Sequence, residues 1–264
     1  MLLHPVIGSS PALASDPPFE SVGLTLADGA RTTLRVARFD RARFSLRAVA
    51  IDPPSTLLAW CAANEAEHAM IGGFYMRPGG PPLGDLQIDG RALPTQPFDP
   101  PWGAERACVH AIDGEVALAA RSELPARPRG DLLQAGPMLV AAGHSLIHRG
   151  QDLEGFSAGS RQFDSDITAG RYPRAALGLA DGEMIAAVSE GRADDEAGLT
   201  MAELATAMIG LGATRAVNLD GGGSASLVVG GRLRNTPREE HGEELVGGRE
   251  IATALQFVAR QGGI

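Results

Sequence analysis

Residues 216–229 read AVNLDGGGSASLVV, in which an acid and three glycines separate two apolar segments. The apolar residues on each side predict two buried strands. Glycine adopts positive φ angles without steric cost and lets a ligand approach the backbone, so the glycines predict a tight loop at a strand end. Successive backbone N–H groups in such a loop can bind an anion, phosphate in particular. The segment therefore predicts a binding site where a strand ends.

The polar residues of this segment share one face. Asn218 and Asp220 lie two residues apart on a predicted strand, so their side chains point to the same side of the sheet. A tight turn in which Asp220 bonds its own backbone is the simpler alternative. Such a turn needs neither three glycines nor an asparagine on the same face. The candidate site residues of this segment are Asn218, Asp220, Gly221, Gly222, Gly223 and Ser224.

The overall composition is typical of a globular protein. Of the 264 residues, 44% are hydrophobic and 21% are charged, and the formal net charge is -9. An acidic protein gains nothing from counterion release on a nucleic acid, so the charge argues against such a partner. The chain has no run of 18 apolar residues, so the sequence predicts no membrane-spanning helix.

The first residues resemble the end of an export signal. Residues 12–15 read ALAS, which is similar to a signal cleavage site, although a basic segment is missing before it. We expect residues 1–20 to be a flexible leader or the remnant of an export signal. This favours a periplasmic or secreted location over a cytoplasmic one.

Many short strands are expected in the rest of the chain. Aromatic residues make up only 5% of the chain, while it contains 34 glycines and 18 prolines. Asp-Gly pairs between apolar segments predict β-hairpins; they lie at residues 89–90, 113–114 and 181–182. The clearest helix is predicted over residues 199–211, where Thr200 and Glu203 form a capping box. We expect one α+β domain over residues 21–264, with a mixed, largely antiparallel sheet and few helices.

Two further elements, one helix and one strand, are predicted from the sequence. Residues 56–67 are predicted to form a helix, and residues 224–229 are predicted to form a strand that follows the glycines directly. The glycine segment thus leads into a strand, whereas nucleotide-binding glycine loops open a helix. The phosphate-loop and dinucleotide-binding interpretations therefore fail.

Five segments, in the same order, resemble the phosphodiester glycosidase family. The most specific is NLDGGGS at residues 218–224. The others are GGFY at 72–75, QAGPMLV at 134–140, PRAALG at 173–178, and Arg249 followed by IATAL at 251–255. The resemblance implies the fold of that family and the hydrolysis of a sugar-1-phosphodiester, either a small molecule or polymer-linked. Free sugar and a phosphomonoester would be the products.

The chemistry that the resemblance implies needs few groups. Glycosidases ordinarily use two carboxylates, but a phosphate leaving group needs little protonation, so one carboxylate suffices. Asp220 is the first candidate, either to attack the anomeric carbon or to activate water; it could instead hold sugar hydroxyls or a divalent cation, Ca²⁺ or Mg²⁺. Glu190 is the second catalytic candidate. Arg174 and Arg249 offer bidentate donors for phosphate. Further substrate-binding candidates are Gly73, Phe74 and Tyr75.

Two alternatives remain open from the sequence. Ile71 and Ala175 stand where the family has asparagine and threonine, which favours a carbohydrate-binding protein that has lost catalysis. Ser157 lies in a GxSxG motif, and Asp220 and His241 follow in the order of a serine esterase. Polar residues flank that motif, whereas a nucleophile elbow needs a buried strand before it.

Overall fold

Seven antiparallel strands form the largest sheet of the computed structural model, which describes residues 16–76, 79–148, 154 and 170–260. In spatial order the strands are β1 (Phe19–Thr25), β2 (Arg31–Asp40), β13 (Glu183–Ser189), β12 (Ala175–Ala180), β14 (Arg215–Asn218), β10 (Met138–Ala141) and β11 (His144–Ser145). The central strands β12, β13 and β14 are almost fully buried. Their residues are small or apolar because both faces of the sheet are covered.

Two five-stranded sheets complete the fold. The first contains β16 (Arg232–Leu233), β15 (Leu227–Val229), β4 (Ala69–Ile71), β17 (Glu250–Ala259) and β3 (Phe44–Thr56). The second contains β6 (Arg91–Ala92), β5 (Leu86–Ile88), β9 (Asp131–Gln134), β7 (Ala107–Ile112) and β8 (Glu115–Ala120). The hairpins predicted at the three Asp-Gly pairs are all present. The predicted α+β fold with largely antiparallel sheets is confirmed.

Three α-helices are present in the described ranges. They are α1 (Leu57–Ala63), α2 (Trp102–Glu105) and α3 (Met201–Gly210). The capping box of α3 is confirmed, because Thr200 and Glu203 each accept the other's backbone N–H. A Cβ atom on Gly178 of β12 would lie 2.6 Å from the Met208 side chain, so the glycine lets α3 approach the sheet.

Two boundary predictions are wrong. The helix predicted over residues 56–67 ends at Ala63, because Glu65 has a φ of 53°, which no helix residue adopts. The strand predicted over residues 224–229 begins only at Leu227. Residues Gly222–Ser224 form a 3₁₀ turn instead, which the N–H groups of Ser224 and Ala225 close on the carbonyls of Gly221 and Gly222, and the φ of 58° at Gly222 takes the chain out of an extended strand.

The ends of the central strands meet at one edge of the large sheet. Ala176 of β12 lies opposite Asn218 of β14, so the same register places Arg174 opposite Asp220 just beyond the strands. The N–H of Asp220 then bonds to the carbonyl of Gly72, at 3.0 Å, directly after β4 of the neighbouring sheet. Residues 220–224, the glycine loop, therefore lie where the two sheets meet.

The start of the chain is only partly described. Strand β1 begins at Phe19, so the last two residues of the predicted leader, 19 and 20, belong to the large sheet. Residues 1–15 lie outside the described residues, and the leader remains a prediction. No helix in the described ranges combines the length and apolar character that crossing a membrane requires.

A buried histidine lies in the core of the fold. His68 is 4% exposed, and its Nδ1 accepts the N–H of Gly230 at 3.1 Å. The rings of Phe39 and Phe44 contact its imidazole edge-on. Burial is the main cause that lowers the pKa of His68 below its usual value. The folded protein therefore holds this imidazole neutral at a pH where the unfolded chain would protonate it.

We expect the free energy of unfolding to fall as the pH drops below about 6.5, the usual pKa of histidine. Below that pH the unfolded state binds a proton that the folded state does not. The contribution of neutral His68 to the free energy of unfolding is therefore fully present above about pH 6.5 and is lost on acidification. The loss is about 1.4 kcal/mol for each unit by which the pKa of His68 is lowered. Urea unfolding across this range should show a slope that His68→Leu removes and that His144→Gln, at an exposed site, retains. Equal slopes in the wild type and His68→Leu would contradict the assignment.

Candidate active site at the glycine loop

The backbone of the glycine loop is held by internal hydrogen bonds. The carboxylate of Asp220 accepts the N–H of Gly221 at 2.9 Å, and the carbonyl of Pro173 accepts the N–H of Gly222 at 2.8 Å. The N–H of Ser224 bonds to the carbonyl of Gly221. Three N–H groups that the sequence assigns to anion binding thus already have partners, and the predicted nest is not open in this structure.

A different physical constraint favours glycine at each of the three positions of the loop. A Cβ atom on Gly221 would lie 2.8 Å from the carbonyl oxygen of Pro173, which is backbone and cannot move freely. Gly222 has a positive φ, which side chains other than glycine rarely adopt. A Cβ atom on Gly223 would lie 2.8 Å from Nη2 of Arg249. The third glycine therefore leaves space for a guanidinium group above the loop.

Arg249 is that guanidinium group. Its Nε donates to Oε1 of Glu239 at 2.7 Å, its Nη2 pairs with both carboxylate oxygens, and its Nη1 lies 3.5 Å from Oγ of Ser224. Burial opposes the charge, but the hydrogen bonds and charge of Glu239 raise the pKa of Arg249 overall, and the charge of Asp220 contributes. The arginine predicted to bind phosphate therefore lies beside the loop as a permanent cation.

Arg192 is a second guanidinium group at the loop, and the sequence reasoning missed it. Its Nη1 and Nη2 would each lie 3.5 Å from a Cβ atom on Gly222, and its Nη1 lies 3.8 Å from Oε2 of Glu239. It also lies over the ring of Tyr172, 5.5 Å from the centroid. The sequence signal for this group is that Arg192 follows Glu190, the second catalytic candidate, by two residues.

Arg174 is a buried cation held by carbonyl groups. It is 1% exposed, its Nε donates to the carbonyl of Leu199, and its Nη2 donates to the carbonyl of Gly170, both at 2.9 Å. Among the residues that the structure describes, no carboxylate forms an ion pair with it. Burial lowers the pKa of Arg174 to about 10, which still leaves a cation at neutral pH. Such a charge favours a bound anion.

Glu190, the second catalytic candidate, is tied into a network. It is 2% exposed and accepts from Nε of Arg35 at 2.9 Å and from the N–H of Thr236 at 3.0 Å. Nη1 of Arg238 lies 3.8 Å away. These contacts anchor the start of residues 236–249, the covering loop that carries Glu239. The geometry favours an anchoring role, while the catalytic role of Glu190 stays a prediction.

The asparagine and the first glycine motif have internal partners. Nδ2 of Asn218 donates to the carbonyl of Gly136 at 3.0 Å. Its Oδ1 is buried and has no hydrogen-bond partner within the described part of the chain. Gly73 donates its N–H to Oγ1 of Thr253 at 2.9 Å, so its backbone ties the segment after β4 to the adjacent strand β17. The N–H of Gly73 and Nδ2 of Asn218 are thus used in the frame, and the role of Asn218 in substrate binding stays a prediction.

The two aromatic candidates differ in their surroundings. Phe74 is 2% exposed and packs edge-on against Phe98, so it belongs to the core. Tyr75 is also buried, but its hydroxyl donates to the carbonyl of Glu250 at 2.8 Å. An electrostatic interaction with Tyr75 also raises the pKa of Arg249, which places the phenol near that guanidinium group. Of the two, Tyr75 lies at the site.

A cavity opens beside Arg192. Its volume is about 530 Å³, and its lining includes Tyr172, Arg192, Glu240 and His241. This volume lies in the usual range for small-molecule sites. The esterase alternative combines His241 with Ser157, which lies outside the described residues, so that alternative stays a hypothesis.

A divalent cation was left open as a ligand of Asp220. In the ranges that the structure describes, no group of three or more His, Cys, Asp or Glu side chains could hold a metal ion. Cys61 and Cys108 are buried free thiols, and burial raises the pKa of Cys61 to about 12. Guanidinium groups and carboxylates therefore make up the charged groups of the described site.

Substitution of the three loop glycines by alanine should lower the free energy of unfolding by different amounts. Gly221→Ala should lower the free energy of unfolding most, by about 3 kcal/mol, because its Cβ meets backbone. Gly222→Ala should cost about 1–2 kcal/mol for the left-handed conformation. Gly223→Ala should cost less than about 1 kcal/mol, since the end of a flexible side chain moves aside. Denaturant unfolding would rank them, with Gly23→Ala as a control in open space. Equal losses at the three positions would contradict this reading of the loop.

The chain matches the family model described as phosphodiester glycosidase over residues 64–258. No curated protein shows significant similarity to it. Among solved structures, the catalytic domain of zebrafish N-acetylglucosamine-1-phosphodiester alpha-N-acetylglucosaminidase, auto-inhibited by its pro-peptide, superposes with a TM-score of 0.70 at 18% identity. That match covers 96% of this chain and 85% of the zebrafish chain.

Two bacterial structures are also similar. A hypothetical protein from Synechocystis has a TM-score of 0.65 at 16% identity, over 96% of this chain and 64% of its own length. A protein of Burkholderia pseudomallei, whose name describes an exported protein, has a TM-score of 0.65 at 18% identity, over 87% of this chain and 74% of its own. At such identities the structures show a shared fold. The family model matches most of the 264 residues, and the chain belongs to the phosphodiester glycosidase family.

Proposed function

We propose that the chain hydrolyses a sugar-1-phosphodiester at the glycosidic C–O bond and releases free sugar and a phosphomonoester. One observation carries the proposal: the guanidinium groups of Arg192 and Arg249 lie over Gly222 and Gly223, directly after the carboxylate of Asp220. An anion receptor next to an acid is what a glycosidase with a phosphate leaving group needs. Membership of the phosphodiester glycosidase family supports the reaction class.

In this proposal the arginines bind the phosphodiester. Planar guanidinium groups match two phosphate oxygens at once, and such charge-assisted bonds are stronger than neutral ones. Arg192 and Arg249 are 12% and 16% exposed, so an anion reaches them while little water competes. These donors would also stabilise the charge that develops on the leaving phosphate.

Asp220 is the proposed catalytic carboxylate. It would either attack the anomeric carbon or remove a proton from the attacking water, and both routes need its ionised form. A carboxylate beside a phosphate is repelled by it. Arg249 is close enough for the charge of Asp220 to act on its pKa, so it reduces that repulsion. A divalent cation held by Asp220 is the alternative way to offset the same charge.

The 530 Å³ cavity beside Arg192 is the proposed place for the part of the substrate beyond the phosphate. N-acetylglucosamine is the first sugar to test, because the zebrafish neighbour carries it in its name. An exported location is a further part of the proposal, supported by the name of the Burkholderia neighbour.

The first experiment measures free sugar released from N-acetylglucosamine-1-phosphate methyl ester and from a panel of other sugar-1-phosphodiesters. We expect Asp220→Asn to lower kcat by about 1000-fold, since the amide keeps the shape but cannot act as a base or nucleophile. Glu243→Gln, an exposed acid of the covering loop, is the matched control and should stay within about twofold. EDTA, added to each protein, tests the divalent cation.

Other outcomes would redirect the proposal. Full activity in Asp220→Asn would remove Asp220 from the chemistry. Sugar-phosphodiester binding without release of sugar by the folded wild type would favour the non-catalytic alternative. Ester hydrolysis that a serine-directed phosphonate abolishes would favour the esterase with Ser157.

A further inference from the structure

One carboxylate joins the two guanidinium groups over the glycine loop. Glu239 pairs with Arg249 through both oxygens, and one of these oxygens lies 3.8 Å from Nη1 of Arg192. Its side chain is 33% exposed, so it approaches the loop from the solvent side. Residue 239 belongs to the covering loop, whose first backbone N–H is held by Glu190. The covering loop therefore places a negative charge beside the guanidinium groups of Arg192 and Arg249.

The charges beside the glycine loop balance in the described part of the chain. The guanidinium groups of Arg192 and Arg249 stand against the carboxylates of Asp220 and Glu239. The phenol of Tyr75 also faces Arg249, and Glu240 and His241 lie in the adjoining cavity. A second network near the loop is also balanced, with Glu190 and Glu244 facing Arg35 and Arg238. The receptor thus offers two guanidinium groups to an incoming anion, and Glu239 holds a negative charge beside both of them.

A phosphodiester and a phosphomonoester differ in charge. The diester substrate of the proposed reaction carries one negative charge at any pH near neutrality. The monoester product has a second ionisation with a pKa of about 6, so at neutral pH it carries almost two charges. Coulomb repulsion by Glu239 grows with the charge on the anion, so it opposes the monoester dianion about twice as strongly as the diester monoanion.

We propose that Glu239 determines the charge selectivity of the site, so that the site binds phosphodiester monoanions in preference to phosphomonoester dianions. It acts through Arg249 and Arg192 and is a specificity-determining residue, not a catalytic one. A consequence of this preference is that the phosphomonoester product dissociates easily from the site. The inference rests on the proposed function, since it assigns the substrate and the product to these two charge states.

The test uses two probes of similar size, dimethyl phosphate and methyl phosphate. Their binding to the full chain is measured by isothermal titration from about pH 5 to about pH 8, on either side of the second phosphate pKa. The wild type should bind dimethyl phosphate equally across this range and should bind methyl phosphate more weakly as the pH rises. Glu239→Gln should bind the methyl phosphate dianion at least about tenfold more tightly. Its affinity for dimethyl phosphate should change by less than about threefold.

Two further variants separate charge from structure. Glu239→Asp keeps the charge and should retain the selectivity of the wild type. Glu244→Gln removes an exposed acid of the same loop, which pairs with Arg238, and should leave both affinities unchanged. A merely structural role for Glu239 would weaken both probes together at every pH.

The outcomes distinguish this inference from the proposed function. Binding of both esters with the same selectivity in the wild type and Glu239→Gln overturns the inference and leaves the hydrolase proposal standing. No binding of either ester to any folded protein overturns the anion receptor, and the inference with it. A changed selectivity without release of sugar from any phosphodiester supports the inference about charge and overturns the hydrolase proposal.

Discussion

The hydrogen bond from the N–H of Asp220 to the carbonyl of Gly72 is the link on which the site depends. It joins the end of β14 in the large sheet to the end of β4 in the neighbouring sheet. A Cβ atom on Gly72 would lie 2.6 Å from Oγ1 and 2.9 Å from the carbonyl carbon of Thr253 in the adjacent strand β17, so glycine lets the chain leave β4 close to that strand. The acid thus emerges at a junction of buried strands, where its position is fixed by backbone bonds.

The two guanidinium groups at this junction come from different strands. Arg192 follows β13 and Arg249 precedes β17, whereas Arg174, just before β12, directs its guanidinium group to the carbonyls of Leu199 and Gly170. Each guanidinium is restrained by a carbonyl or a carboxylate, and the covering loop is in turn anchored on Glu190. A cation that is already held in place loses little freedom when it binds an anion, which is the basis of preorganised sites.

The sequence predicted the features that depend on neighbouring residues. The capping box of α3 and the Asp-Gly hairpins involve groups two to four positions apart, so local pattern is enough. The glycine loop was located for the same reason. The partnership of Glu239 with Arg192 and the bond from Gly73 to Thr253, 180 positions apart, depend on which distant segments the fold brings together, and no local pattern contains that information. Phe74 shows the same limit, because the family motif does not say which of its side chains faces the core.

The departures from the family pattern affect side chains and spare the backbone frame. Ile71 and Ala175 are fully buried, yet the N–H of Ile71 still bonds to the carbonyl of Ser226, and the carbonyl of Ala175 still accepts the N–H of Leu219. These bonds hold the chain on both sides of the glycine loop, and any residue except proline can donate or accept them. The loop geometry therefore does not require the asparagine and threonine of the family. Both side chains belong to the hydrophobic core, so at these positions this chain packs apolar atoms where the family has polar ones.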